Sequence, residues 1–212
     1  TNSTVFAVDL NLNLLKMGKL IKENSNHSVI PIIATLWNLP FKEDYFDHVH
    51  CQGVAHHTFS TEKAFGMLDL HTKKDKGSLF LWVYAWEDSH GIKGLRGVAI
   101  RIYWFVSHNI SRPILSRLSP FLRKIALWII TILYSVVFFA SSRKFPKGWK
   151  LNDTFHSISD AFSPRFAHQH RWNEVISWFK ESQYKEISPQ NSSLYKKLFN
   201  KRMLGIGFLG KK

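Results

Sequence analysis

The sequence predicts an α/β domain with a parallel sheet. Short apolar, β-branched runs alternate with helical patterns over the first ninety residues, the order expected when helices connect parallel strands. The segment SLFLWVYAW at 78–86 is apolar at nearly every position, as expected for a strand that is covered on both faces. Ligands bind such sheets beyond the carboxyl ends of the strands, so polar residues that follow strands are the candidates for a site.

Local patterns place the individual elements. Residues 10–21 carry apolar side chains at helical spacing with lysines between them, and 171–182 is amphipathic in the same way. The predicted strands lie at 5–8, 29–33, 46–49, 78–86 and 203–209, and the predicted helices at 10–21, 61–71 and 171–182.

The charge balance restricts the partners. The 212 residues include 29 Lys and Arg against 15 Asp and Glu, a formal net charge of +14. Such a surface attracts phosphate, whether it belongs to nucleic acid, anionic lipid or a small substrate. The single cysteine, Cys51, excludes an internal disulfide and fits a reducing compartment. No secretory signal is visible, so we expect a cytoplasmic protein.

A basic, aromatic region interrupts the α/β pattern at 91–149. Its centre, Ile125 to Ser142, has no charged residue and is flanked by Arg and Lys on both sides. As a helix it would be about 27 Å long, just short of a bilayer core. It can be a buried lid or a helix in the membrane interface; a span is disfavoured, because both flanks must remain with one sheet. The chain therefore divides into a core at 1–90, this helical cap, and a segment at 150–212 that completes the core.

The stretch HCQGVAHHTFSTEKA at 50–64 concentrates side chains that can do chemistry. A zinc site needs three or four converging ligands, whereas His48, His50 and Cys51 alternate along a predicted strand, so we expect no metal. His56 and His57 follow that strand and are candidates for a general base near neutral pH. One of them can face the pocket as this base while the other caps the next helix. The alternative is that both are structural residues of the pocket rim.

Asp9 ends the first predicted strand and precedes the first helix. An acidic residue at this place can accept hydrogen bonds from both hydroxyls of a ribose. It can equally be the N-cap of the helix. The residues alone leave both roles open.

The order of these motifs resembles the class I S-adenosylmethionine-dependent methyltransferases, in particular the type 11 small-molecule branch. The resemblance is continuous over 5–86 and resumes over 160–211. It implies a Rossmann-like sheet with S-adenosylmethionine as cosubstrate. The motifs that carry it are VFAVDLNLNLL at 5–15, LPF at 39–41, FDHVHCQGVAHH at 46–57 and WNEVISWFKESQYKEI at 172–187.

The resemblance also implies roles for individual residues. Asp9 would bind the ribose of the cosubstrate. His56 and His57 would be the catalytic candidates, and His168 and His170 would approach the acceptor from the carboxyl side of the chain. The remaining implied cosubstrate contacts are Leu10, Thr35 and Leu36 around the adenine and Gln52, Gly53 and Val54 on the sulfonium side.

The sequence departs from the family in three places. Thr35 stands where the family has an acidic residue for the adenine amino group, and KDKG at 74–77 replaces Lys-Pro-Gly-Gly. The glycine-rich loop that holds the methionine end of the cosubstrate should precede residue 1. We therefore expect an N-terminally truncated domain that binds cosubstrate poorly and is inactive by itself.

The expected function is methyl transfer from S-adenosylmethionine to a small-molecule or lipid-linked acceptor, in the cytoplasm and peripheral to an anionic membrane surface. Nucleic acid is a less favoured partner, because QGVAHHT at 52–58 stands where base methyltransferases have a Pro-Pro-aromatic motif that binds exocyclic amines. An RNA methyltransferase and a non-catalytic remnant of the fold are the alternatives.

Overall fold

The computed structural model describes residues 3–24, 28–86, 93–142, 148–190 and 205–212. The predicted elements are present with small shifts at their ends; residues 203 and 204 of the last predicted strand lie outside the described residues. The strands are β1 (Thr4–Asp9), β2 (Ser28–Ile33), β3 (His48–Gln52), β4 (Ser78–Ala85), β5 (Gln169–His170), β6 (Glu186–Pro189) and β7 (Ile206–Lys211). The helices are α1 (Asn13–Asn24), α2 (Thr61–His71), α3 (Gly94–Val106), α4 (Arg112–Arg117), α5 (Pro120–Ser142), α6 (Leu151–Phe162) and α7 (Trp172–Glu181), and a 3-10 turn (Ala55–His57) lies between β3 and α2.

The described strands form two sheets. β1 and β2 pair in parallel as a two-stranded sheet. The larger sheet has the order β3-β4-β7-β6, and β5 pairs with the end of β4. β3 and β4 are parallel, whereas β7 is antiparallel to β4 and β6. The larger sheet is thus mixed rather than all parallel, because β6 and β7 follow each other in the chain and pair as direct neighbours.

The main core lies between β4, α2 and α7. Leu79, Leu81 and Val83 on one face of β4 are fully buried, and the alternate residues on the other face are partly buried. This confirms that β4 is covered on both faces. Phe65 of α2 and Phe179 of α7 meet in the same cluster, with ring centroids 4.8 Å apart. Each such side chain contributes about 1.5–3 kcal/mol on burial.

A helical region packs beside the larger sheet. α3 continues into α4 through a π-helical turn at 107–111. Pro113 accounts for this wide turn, since it has no N–H for the carbonyl four residues back and its ring crowds that carbonyl. α5 packs on α6 through Leu127 and through the stacked rings of Trp128 and Phe155, whose centroids are 4.3 Å apart. Within the described ranges, no helix combines the length and apolar character that crossing a membrane requires.

Candidate functional site

A cavity of about 450 Å³, here called the first cavity, lies between the two sheets. Residues from β1, from the segment after β2 and from β3 form its wall. Gly53 does not line the cavity, although both of its chain neighbours do. The residues implied for cosubstrate that line it are Asp9, Leu10, Thr35, Leu36, Gln52 and Val54. Residues distant in sequence therefore meet at one place.

Asp9 is oriented by the turn that begins α1. Its Oδ1 accepts a hydrogen bond from the backbone N–H of Asn11 at 2.8 Å. Asn11 Oδ1 in turn accepts from the backbone N–H of Asn13, the first residue of α1, at 3.0 Å. A carboxylate has two oxygens and about four lone pairs. The capping role and a ligand role are therefore compatible.

The chain leaves β3 through a tight turn at Gly53. Its φ of +76° is in the left-handed region, which glycine adopts without strain. Its backbone N–H donates to the carbonyl of Trp82 in β4 at 3.3 Å, so the turn remains attached to the sheet. The turn at Gly53 places Val54 in the wall of the first cavity. It is followed by the 3-10 turn that contains His56 and His57.

The histidine pair ties this turn to the segment before β5. The backbone N–H of His168 donates to the His56 carbonyl at 2.9 Å. His57 Nδ1 donates to the Phe166 carbonyl at 2.9 Å, and His168 Nε2 donates to the Thr58 carbonyl at 3.0 Å. These bonds hold 56–58 against 166–168, which are about a hundred residues away in sequence.

His56 is fully buried and neutral. Its ring packs on Tyr84 with centroids 3.9 Å apart, and neither ring nitrogen has a hydrogen-bond partner within the described part of the protein. Burial, and to a smaller extent the neighbouring His57, lowers the pKa of His56 to about 2. A group with this pKa is a very weak base near neutral pH.

His57 is the better base of the two. A carbonyl only accepts, so the bond to Phe166 assigns the proton to Nδ1 and leaves the lone pair on Nε2. Nε2 is buried and has no hydrogen-bond partner among the described residues. Burial lowers the pKa of His57 and so favours its neutral form. Neither His56 nor His57 is among the residues that line the first cavity.

A second cavity, of about 510 Å³, lies between α3 and the segment before β5. His168 lines this cavity and bonds to the carbonyl of Thr58, which lines the first cavity. The His168–Thr58 contact is therefore part of a wall that the two cavities share. The lining residues of the second cavity are Arg101, Trp104, Phe105, His108, Asn109, Ala167, His168 and Gln169.

His108 lines the second cavity and was not predicted from the sequence as a site residue. Its Nε2 donates to the Ala167 carbonyl at 2.5 Å, and its Nδ1 lies 2.9 Å from the Trp104 carbonyl. Burial lowers the pKa of His108. Ala167 is 59 residues from His108 in sequence, and only the fold brings the two together. No local motif around His108 indicates a site.

His168 and His170 have different surroundings. His170 lines neither cavity; its Nδ1 donates to Glu174 Oε1 at 2.9 Å, and its ring packs edge-on against Trp178. Glu174 Oε2 also accepts from the backbone N–H of Arg171 at 3.2 Å, which closes the first turn of α7. Of the two implied acceptor residues, only His168 reaches a cavity.

The histidines of β3 form no cluster with Cys51. His48 Nδ1 lies 2.8 Å from Ser78 Oγ, and the ring of His50 stacks on Phe80 with centroids 4.5 Å apart. Burial raises the pKa of the Cys51 thiol to about 11, so the thiol is protonated. Across the described ranges, no three His, Cys, Asp or Glu residues are grouped to hold a metal ion.

Comparisons with known proteins gave one family model and several solved structures. Residues 1–79 match a family model described as a methyltransferase domain, type 11. A S-adenosylmethionine-dependent methyltransferase from Methanosarcina mazei has a similar fold, with a TM-score of 0.56 and 10% identity over 100% of this chain and 82% of that one. The YcgJ protein from Bacillus subtilis gives a TM-score of 0.49 and 16% identity over 99% of this chain and 82% of that one. A search of curated protein sequences gave no match. The chain has a Rossmann-like methyltransferase fold, and its residues 1–79 are similar to the type 11 methyltransferase domain.

Proposed function

We propose that the first cavity is a site for S-adenosylmethionine, and that the reaction this fold serves is transfer of the methyl group to a small-molecule or lipid-linked acceptor. The observation that supports the proposal best is the convergence of six implied cosubstrate residues, from three separate strand ends, on that cavity. Its volume of about 450 Å³ falls within the range of roughly 300–1,000 Å³ typical of ligand pockets.

The lining suits the nucleoside half of the cosubstrate. The Asp9 carboxylate, oriented by Asn11, is an acceptor for ribose hydroxyls. Leu10, Leu36 and Val54 offer apolar surface on which a purine can pack. The described lining contains no Lys or Arg for the methionine carboxylate. We therefore expect this chain to draw most of its affinity from the nucleoside.

We assign the acceptor to the second cavity. S-adenosylmethionine supplies a methyl group on a positively charged sulfur, and transfer requires the acceptor atom to be aligned with it. The wall at Thr58 and His168 is where ligands of the two cavities come nearest to each other. His57 is next to Thr58 in this wall, and its Nε2 lone pair is the group we assign to take a proton from the acceptor. Because Nε2 is buried and His57 lines neither cavity, this assignment requires the wall to open when the acceptor binds.

Calorimetry on matched Asp9 variants tests the cosubstrate site. Asp9→Asn keeps the side-chain oxygen that accepts from Asn11 but loses the charge, so it should weaken S-adenosylmethionine binding by about 1–3 kcal/mol with little change in stability. Asp9→Ala loses both functions. If Asp9→Asn binds like the wild type while Asp9→Ala unfolds more easily, Asp9 is only a helix cap.

A second ligand tests which half of the cosubstrate is bound. 5′-Methylthioadenosine lacks the amino acid, and it should bind within about tenfold of S-adenosylmethionine, because at most one charged contact of about 1.4 kcal/mol is missing. A preference of a thousandfold for S-adenosylmethionine would contradict this assignment.

Methyl transfer is tested by following tritium from labelled S-adenosylmethionine into a total cell extract that is then separated into lipid, small-molecule and RNA fractions. Label in the lipid or small-molecule fraction would support this acceptor class, and label in RNA would favour the RNA alternative. No label in any fraction would agree with the expectation that this chain is inactive by itself. His57→Asn keeps an N–H close to the Nδ1 position and removes the lone pair of Nε2. It should retain cosubstrate binding and lose turnover, whereas unchanged turnover would leave His57 with only its structural bond.

A further inference from the structure

The strongest unexplained feature of the molecule is one side of α5. Seven large apolar residues recur on this side, and at 3.6 residues per turn they fall within an arc of about 120° and a length of about 22 Å. None of the seven positions is polar or charged. This outer face of α5 consists of Phe121, Leu122, Ile125, Ile129, Ile132, Leu133 and Val136, each between 43% and 73% exposed.

The opposite side of α5 is more polar than the outer face, although it is the buried side. Thr131 and Ser135 are buried there beside Leu127, and each hydroxyl donates to the carbonyl four residues back at 2.7 Å. A helix on the surface of a protein in water normally has the reverse arrangement, with its apolar face inward. Contiguous exposed apolar patches of this kind mark protein or membrane interaction sites.

The charges around the outer face indicate what covers it. Residues 94–142 contain six Lys and Arg and no Asp or Glu, although the whole chain has 15 acidic residues. Arg117, Arg123 and Lys124 lie just before or within the first turn of α5. A second copy of the chain would bring like charges together with no carboxylate in this region to pair with them. An anionic lipid surface supplies both the apolar phase and the negative charge.

We propose that the outer face of α5 docks on an anionic bilayer surface, with the helix lying in the plane of the interface. This inference does not depend on the proposed methyl transfer. In this arrangement the seven residues of the outer face of α5 contact the lipid, and the opposite face of α5 packs on the rest of the protein.

A second exposed apolar stripe lies on the helices that precede α5. α3, the π-helical turn and α4 expose apolar residues at helical intervals, and one of them, Phe105, also lines the second cavity. A lipid-linked acceptor that leaves the bilayer would meet this stripe next to the cavity. The members of the stripe are Val98, Ile102, Phe105, Val106, Ile110 and Ile114.

The test is flotation of the purified chain with vesicles of phosphatidylcholine alone or with 30% phosphatidylserine, at 50 mM and 500 mM NaCl. We expect flotation with the anionic vesicles at low salt and at least tenfold less bound protein at high salt or without phosphatidylserine. Carbonate should release the bound protein, because the helix lies on the bilayer. Protein that never floats, or that resists carbonate, would overturn the proposal.

Three variants locate the surface. Ile129→Ser/Ile132→Ser/Leu133→Ser should reduce binding at least tenfold without altering the unfolding transition, since these side chains are exposed. The matched control, Leu12→Ser/Leu15→Ser/Ile33→Ser, removes exposed apolar residues outside the helical region and should float like the wild type.

Arg123→Gln/Lys124→Gln should weaken binding to anionic vesicles by about 25-fold, because each basic residue near the surface contributes about fivefold. If the triple serine variant floats as well as the wild type, the outer face is not the docking surface. If light scattering shows a wild-type dimer that the triple variant abolishes, and neither protein floats, the face is an interface between copies and the proposal is wrong.

Discussion

The sheet core and the helical region at 94–142 use apolar residues in opposite ways. In α7, Val175 and Phe179 are fully buried in the core. In α5 the fully buried position is Thr131, whereas Ile129 and Leu133 are more than half exposed. Both helices are rich in apolar residues, so composition does not explain the difference. The core is stabilised by its own packing, whereas no described part of the chain packs on the apolar outer face of α5.

The largest expected effect on the free energy of unfolding comes from removing a buried aromatic ring from the core. Phe179→Ala removes a fully buried ring that contacts Phe65, Tyr184 and Phe208, and should lower the free energy of unfolding by about 3–5 kcal/mol. Leu133→Ala on the outer face of α5 should change it by less than about 0.5 kcal/mol. Urea unfolding measures both. Equal losses would mean that the two regions are packed alike.

A smaller effect is expected from overpacking the core. A Cβ at Gly210 in β7 would lie 2.5 Å from the ring of Phe179 and 2.7 Å from that of Tyr184. Gly210→Ala should therefore destabilise the protein by about 1–3 kcal/mol. The control is Gly66→Ala in α2, where a Cβ meets nothing within 4 Å. Thermal unfolding should show a gain of about 0.5–1 kcal/mol for this control, because alanine favours a helix over glycine.

The pH dependence of stability should report on His56. Its pKa is about 2 in the folded protein and about 6.5 in an unfolded chain. The unfolded state therefore binds the extra proton below pH 6.5, and stability falls as the pH decreases from 6.5 toward 2, at up to about 1.4 kcal/mol per pH unit. His56→Leu removes this term and the two unpartnered nitrogens. Urea unfolding at pH 7, 6 and 5 should give a flatter profile for the variant; identical slopes would show that His56 is solvated.

The smallest effect is expected on the buried side of α5. The Thr131 hydroxyl donates to a carbonyl of its own helix, so Thr131→Val replaces a hydroxyl by a methyl group of similar size. The free energy of unfolding should change by no more than about 1.5 kcal/mol, the net contribution of one hydrogen bond. A loss of several kcal/mol in chemical denaturation would mean that this hydroxyl bonds across the interface.

Local periodicity was enough to predict β1 to β4, β7, α1, α2 and α7, because each of these apolar runs is bounded by turn residues or charges. The region of α3 to α5 was predicted only as helical, and β5, β6 and α6 were not predicted. The rule that sites follow strand ends predicted Asp9, and the family resemblance predicted Thr35; both line the first cavity. The second cavity could not be predicted, because its walls come from α3 and the π-helical turn on one side and from 167–169 on the other. No pattern in either segment indicates a contact with the other. His170 was assigned to the acceptor for its position in the chain, whereas its contacts with Glu174 and Trp178 belong to the start of α7.

The separation of β1–β2 from the larger sheet has a consequence for handling the protein. Among the described strands, β1 pairs only with β2, and β3 only with β4, so each has one edge of unpaired N–H and C=O groups. Such edges are templates for pairing with another chain, and native sheets often blunt them with proline. β2 contains Pro31, whereas β1 and β3 contain no proline. Concentrated solutions should therefore aggregate through β1 and β3, by intermolecular strand pairing.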